Sequence, residues 1–120
     1  MAKVLVVDDS PAIREMVGHL LVRKRHIPFF AENGAEALTE VDKQDFDAVI
    51  TDIHMPEMDG LELIAKLRKI PGFKSKPILV LTTENNMKIR EAAVDAGATG
   101  YINKPIEERL FNKMINRVIG

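Results

Sequence analysis

Five short apolar runs alternate with five longer stretches in which apolar residues return every three or four positions. Lys3 to Val7 (KVLVV) is apolar and β-branched without polar alternation, the pattern of a strand buried on both faces. Ser10-Pro11 supplies a helix N-cap and a proline for the first helical position, and Ile13, Met16, Val17, Leu20 and Leu21 follow at helical spacing. Arg23-Lys24-Arg25-His26 suits a helix C-terminus, where cations meet the negative end of the dipole, better than a nucleic-acid patch. Ile27 to Ala31 is a second strand, and Asn33-Gly34 turns the chain. Ala35 to Lys43 is a short helix with Ala37, Leu38 and Val41 inward. Asp47 to Asp52 is the third strand. Leu61, Leu63, Ile64, Leu67 and Ile70 line a third helix that Pro71-Gly72 closes. Pro77 opens a fourth strand ending at Thr82-Thr83. Asn85 or Asn86 caps a helix that Gly97 stops after Ala96. Thr99 to Ile102 is the fifth strand. Ile106 to Ile119 is the last helix, with Ile106, Leu110, Met114 and Val118 on one face, Glu107 and Glu108 in its first turn and Arg117 near its end.

Short βα units in this order predict an α/β domain: a five-stranded parallel sheet, doubly wound, with right-handed crossovers and helices on both faces. Ligands in such sheets sit outside the carboxyl ends of the strands. Asp8-Asp9, Asp52, Thr82-Thr83 and Lys104 hold those ends here, far apart in sequence and converging on one rim.

Composition narrows the class. At 120 residues the chain reads as one domain, 1–120, with room for a real core. Net charge is −1, which gives no electrostatic case for nucleic acid or an anionic membrane. The charge is uneven: residues 1–60 carry 6 Lys/Arg against 12 Asp/Glu, and residues 61–120 carry 11 against 6. The acidic half contains Asp8, Asp9 and Asp52, which points to a cation. Absence of cysteine removes disulfides, thiolate chemistry and Cys-based zinc sites. Met1-Ala2-Lys3 runs directly into a strand, and no apolar run has membrane-spanning length, so a cytoplasmic location is expected.

Three carboxylates brought together repel unless protons or a cation are shared. Hard oxygen ligands without His or Cys favour Mg²⁺, with Mn²⁺ as a substitute, over zinc. Lys104 and a threonine hydroxyl on the opposite side would grip an anion. Cations flanking an anion beside a carboxylate are the layout of phosphoryl transfer, with Asp52 attacking in line. Each residue alone has a plainer reading: Asp8 or Asp9 as a helix cap, Thr82 as a strand-end hydroxyl, Lys104 as a surface lysine, Tyr101 as a half-buried strand aromatic.

In VVDDS, ITDIHMPEMDG, VLTTE and AGATGYINKP the chain resembles the receiver domain of two-component response regulators, the CheY-like family, across its whole length. The resemblance implies a flavodoxin-like fold with strand order 2-1-3-4-5. It implies Asp52 as the phosphoacceptor, taking its phosphoryl group from a sensor histidine kinase or histidine phosphotransfer protein. Asp9 would be the more direct Mg²⁺ ligand, Asp8 would act largely through water, and the His54 backbone carbonyl would complete the protein ligands. Thr82, 15 residues before Gly97 and 22 before Lys104, matches the switch hydroxyl. Lys104 matches the phosphate-binding lysine, its bond to Pro105 is expected to be cis, and Tyr101 matches the switch aromatic. Phosphorylation would then change the face formed by the fourth helix, fifth strand and fifth helix, where a downstream protein target binds, in the manner of bacterial chemotaxis signalling. The family's kinases typically meet the first helix near Ile13 to Val17. His54 and Glu84 resemble positions that tune dephosphorylation. Met55, Met58 and Met87 read as core or loop packing, although Met-containing faces also serve partner docking.

Other classes fit less well. A dehalogenase-type phosphatase needs its nucleophile after the first strand and a second acid two residues on, but Ser10 stands there after Asp8. The first strand-helix turn, DDSPAI, has no glycine, so a pyrophosphate-binding fingerprint is absent. A receiver-like interaction module that is never phosphorylated remains as the alternative that an assay must exclude.

Overall fold

In a computed structural model describing residues 1–83 and 87–119, each apolar run becomes a parallel strand. These are β1 (Lys3–Val7), β2 (Ile27–Ala31), β3 (Ala48–Asp52), β4 (Ile78–Thr82) and β5 (Gly100–Asn103). Helices α1 (Pro11–Arg23), α2 (Gly34–Lys43), α3 (Gly60–Arg68), α4 (Met87–Ala96) and α5 (Glu108–Val118) link or follow them, with a 3-10 turn at Pro71–Phe73. The sheet order is β2-β1-β3-β4-β5. The proposed caps of α4, Asn85 and Asn86, and also Glu84, lie outside the described residues. No helix among the described residues is long and apolar enough to cross a membrane.

Strand alternation divides the core into two layers. Val4, Val6, Ile50, Leu79 and Leu81 face Val17, Leu20 and Leu21 of α1 and Phe111 and Ile115 of α5. Leu5, Val7, Val49, Ile78 and Val80 face Ala37 of α2, Leu63, Ile64 and Leu67 of α3 and Ala93 of α4. Every residue of β3 and β4 is buried. Each large aliphatic side chain removed from water in this way contributes about 1.5–3 kcal/mol, so the central strands, which carry the rim residues, are the most firmly held.

The helix starts are fixed by the residues the sequence offers. Ser10 Oγ accepts the Ile13 N–H at 3.3 Å, with Pro11 at the first helical position. Asn33 Oδ1 accepts from Glu36 N–H and Asp59 Oδ1 from Glu62 N–H, both at 2.8 Å. Several boundaries differ from expectation, those of α2, β3, β4 and β5 by one residue. The third helix begins at Gly60 and ends at Arg68, inside the expected Ile70. The last helix begins at Glu108, because Ile106 packs into the core and Glu107 is extended, serving as the cap. Of the face of Ile106, Leu110, Met114 and Val118, Leu110 is 49 % exposed and the other three are half-buried against the core, while Phe111 and Ile115, one position on from Leu110 and Met114, are fully covered. Met16 on α1 likewise points outward, 44 % exposed.

At the end of the sheet opposite the rim, Arg68 acts as a clamp. Its guanidinium donates to the carbonyls of Gly97, Phe73 and Lys76 at 2.9, 2.6 and 2.7 Å and to Thr99 Oγ1 at 3.3 Å. Gly97 has φ +112°, and a Cβ there would lie 2.8 Å from the Arg68 stem, so both backbone and packing require glycine.

Candidate functional site

Asp52 is the last residue of β3. The register Asp52↔Leu81 and Thr82↔Asn103 places it beside the end of β4, with Thr82 one residue further on. Asp8 follows β1 directly, and its N–H bonds Ala31 O at 3.1 Å, which anchors the end of β1 to β2. Lys104 follows β5, and its N–H bonds Thr82 O at 2.8 Å. The Lys104–Pro105 peptide is cis. The sheet thus gathers at one rim the residues that the strand ends predicted.

The side chains converge. Carboxylate oxygens of Asp8, Asp9 and Asp52 all lie within 4.8 Å of one another. The Lys104 ammonium donates to Asp8 Oδ2 at 3.0 Å and lies 3.3 Å from Asp52 Oδ1. Asp8 Oδ1 accepts the Ser10 N–H at 2.9 Å, so the carboxylate is held at both oxygens. Asp8, Asp52 and Thr82 are buried, Lys104 is half-buried, and Asp9 and His54 are exposed. Of the two threonines at the end of β4, Thr82 is buried and Thr83 exposed.

Charge is out of balance at the rim. Burial and the neighbouring Asp8 hold the Asp52 carboxyl above its ordinary pKa, although Lys104 pulls the other way. Burial alone would lower Lys104, but its hydrogen bond to Asp8 and the charges of Asp52 and Asp8 win and raise it. One ammonium is shared between two buried carboxylates with a third close by, so negative charge remains in excess. This donor set, hard oxygens with surplus negative charge beside an exposed edge, fits Mg²⁺.

The loop after β3 is tightly built. Gly60 N–H bonds Ile53 O at 2.8 Å. A Cβ at Gly60 would lie 2.1 Å from Asp52 O, so the Asp59-Gly60 pair both caps α3 and lets its first turn press against the backbone of Asp52. Met58 seats its side chain over Gly34 at the start of α2, where a Cβ would meet the sulfur at 2.6 Å.

Sequence reasoning passed over several residues, Arg14 beside the rim, Arg90 on α4 and His26 at the opposite end of the sheet. Arg14 Nη1 donates to Asp8 O at 2.6 Å, and its Nη2 lies 3.8 Å from Glu32. A signal was present: a cation in the first turns of a helix opposes the dipole and calls for a specific partner. Arg90 of α4 places its guanidinium 4.3 Å from the centroid of the half-buried Tyr101 ring. Its partner lies on another element, so no local spacing reveals it. His26, taken with the basic run, is buried and accepts the Ala2 N–H on Nδ1 at 3.0 Å.

A doubly wound parallel sheet with an acidic cluster and a lysine at its carboxyl rim is the architecture of a phosphorylation-dependent signalling module. The chain belongs to the response regulator receiver domain family, whose model matches residues 4–116. It is 38 % identical over 120 residues to a chemotaxis protein CheY homolog of Campylobacter jejuni, covering 98 % of this chain and 92 % of that protein. It is also 38 % identical to chemotaxis protein CheY1 of Helicobacter pylori, covering 97 % of that protein. Among solved structures, the Vibrio cholerae chemotaxis protein CheY4 superposes with a TM-score of 0.95 at 40 % identity, covering 99 % of both chains. Such receivers work in two-component signalling, between histidine kinases and downstream targets, and are not classical enzymes.

Proposed function

We propose that residues 1–120 act as one receiver unit in which Asp52 accepts a phosphoryl group from a phosphohistidine of a sensor kinase or histidine phosphotransfer protein. The observation that carries this reading is the Lys104 ammonium, 3.0 Å from Asp8 and 3.3 Å from Asp52, beside three carboxylates within 4.8 Å of one another. An Asp52 oxygen attacks phosphorus, the P–N bond breaks, and the imidazole leaves with the electron pair. Lys104 would leave its carboxylate partners for the phosphoryl oxygens, and Thr82 would donate its hydroxyl to the same group. Asp8, Asp9, Asp52 and the His54 carbonyl would hold Mg²⁺ or Mn²⁺. The metal, when bound, neutralises charge on the equatorial oxygens.

The phosphoryl group adds charge and acceptor oxygens at Asp52. Thr82 and Lys104 interact with it better in one arrangement of the rim than in another, and that difference biases Tyr101 and the face of α4, β5 and α5 toward a downstream protein. The leucine face of α5 suits this role, since exposed Leu110 lines a groove with Tyr101, Pro105 and the half-buried Met114 and Val118. The only chemistry catalysed is phosphorylation and dephosphorylation of Asp52 itself, in the cytoplasm and without nucleic acid or membrane.

The test is intact mass after incubation with acetyl phosphate and Mg²⁺, alongside Asp52→Asn. One added phosphoryl group that requires Mg²⁺ and is absent from the variant is expected. No adduct, together with no binding of beryllofluoride, sinks the phosphoswitch and leaves a receiver-like interaction module.

A further inference from the structure

Tyr101 is the chain's single tyrosine. Its half-buried ring packs against the apolar layer under α2, α3 and α4, and it also has a cation at its face: the Arg90 guanidinium at 4.3 Å. Arg90 is the fourth residue of α4, a helix that starts five residues beyond Thr82. The ring sits on β5, three residues before Lys104. The contact therefore ties the helix that follows the Thr82 rim to the strand that leads to Lys104.

A guanidinium over an aromatic face is attracted to the ring quadrupole and stacks on it. The attraction depends on ring position, because it falls away once the ring leaves the guanidinium. In the arrangement described here, Lys104 is engaged by Asp8 and Asp52. A move of Thr82 that carries α4 relative to β5, or a rotation of the ring, has to break this contact.

We propose that Arg90 is a positioning residue that latches the Tyr101 ring to α4 in the arrangement where Lys104 bridges Asp8 and Asp52, and so opposes the rearrangement that phosphorylation favours. The inference rests on the reading of Asp52 and Tyr101 given above. A contact made in one arrangement only must weaken, by the same factor, the binding of anything that selects the other. Arg90 thereby sets how readily the switch responds, without touching the phosphoryl group.

The single tyrosine makes the latch directly observable. The full chain, labelled with 3-fluorotyrosine, gives one ¹⁹F signal for Tyr101, followed while beryllofluoride is titrated in Mg²⁺. Wild type, Arg90→Met and Arg90→Lys are compared; Met keeps an unbranched stem and removes the cation, and Lys returns a cation. Arg90→Met is expected to move the free signal toward its beryllofluoride-bound position and to lower the beryllofluoride Kd about two- to fivefold. Arg90→Lys is expected to bring both back toward wild type, which a loss of packing alone would not do. An unmoved free signal with unchanged or weaker binding in Arg90→Met overturns the latch. If wild type binds beryllofluoride but the ring signal stays fixed, the switch role of Tyr101 and the latch fall while Asp52 as acceptor stands. If wild type does not bind at all, the phosphoswitch reading itself fails and takes the latch with it.

Discussion

Lys104 and Asp8, 96 residues apart, are joined by a 3.0 Å hydrogen bond at the ends of β5 and β1, and the same ammonium reaches Asp52 at 3.3 Å. The Asp8 side chain is only 1 % exposed, so this ammonium takes the place of the water that would otherwise solvate it. The lysine therefore has two duties: to balance the acid cluster in the fold and, in the proposed reaction, to leave it for the phosphoryl oxygens.

Replacing Lys104 by Met separates those duties. The variant keeps the stem and strips the cation from two buried carboxylates, a loss of about 1–3 kcal/mol in unfolding free energy without metal. Millimolar Mg²⁺ should restore much of that stability but not the phosphorylation by acetyl phosphate. Urea denaturation in EDTA and in Mg²⁺ checks this; a loss that Mg²⁺ does not relieve would show that Lys104 is not the counterion of the cluster.

Asp52 makes the fold less stable at neutral pH than an uncharged side chain would. Its folded pKa is raised by burial and by Asp8, so on acidification the folded chain takes up this proton before the unfolded chain does. Its contribution to stability therefore improves as pH falls through the folded pKa toward the ordinary value of 3.8, and the penalty is fully present above that window. Asp52→Asn should be more stable than wild type at pH 7 by on the order of 1 kcal/mol. The gap should close as pH approaches 4. Melting temperatures of both proteins across pH 4–8 decide it, and a gap that grows in acid would reverse the sign assigned here.

His26 runs the other way. Burial lowers its pKa, the N-terminal charge and Lys24 add to the lowering, and Asp47 only partly offsets them. The unfolded chain takes up this proton first as pH falls below 6.5, and protonation of Nδ1 removes the acceptor for Ala2 N–H. Stability linked to His26 is present above 6.5 and declines as pH falls through the lowered folded value. His26→Gln, which keeps an oxygen acceptor, should flatten that decline. An unchanged slope below 6.5 in His26→Gln would assign the decline to other groups.

Gly60 offers a steric test of the loop. A methyl group there would meet Asp52 O at 2.1 Å and the Ile53 Cα at 2.9 Å, both backbone atoms of the acceptor strand. Gly60→Ala should lose about 1–3 kcal/mol or more and slow phosphorylation as Asp52 is displaced. Gly72→Ala, where a Cβ meets nothing within 4 Å, is the control and should leave both unchanged.

The sheet was legible because its strands are unbroken apolar runs and its helices start at Ser10, Asn33 and Asp59, residues whose side chains bond the helix's own first N–H groups. The rim followed from the same logic, since in a parallel sheet all strand carboxyl ends meet on one side. The buried face of α5 was less legible. Leu110, Phe111, Met114, Ile115 and Val118 form a stripe wider than one contact line, and periodicity does not say which part the sheet covers. Arg68, Arg90 and His26 stayed hidden for another reason: their partners are backbone atoms or rings on other elements, and nothing in their neighbours marks them.

Arg14 was marked only by standing as a cation in the first turns of its helix, and its position gives the last prediction. Its guanidinium spans two elements, bonding Asp8 O at 2.6 Å and approaching Glu32, just past β2, at 3.8 Å. Two effects of opposite sign follow from removing it. Losing a cation near the acid cluster would strengthen Mg²⁺ binding, whereas losing the bond to Asp8 O would loosen the turn where Asp8 and Asp9 leave β1 and weaken it. Glu32 already offsets much of the Arg14 charge, so the positional effect should win. Arg14→Met should weaken Mg²⁺ binding and slow phosphorylation by about tenfold. Arg14→Lys keeps the charge but has no rigid fork to reach both partners, so it should fall with Met. Mg²⁺ titrations of the two variants settle the cause: tighter binding in Arg14→Met, with Arg14→Lys like wild type, would mean that charge, not the hold on the Asp8 carbonyl, is what Arg14 contributes.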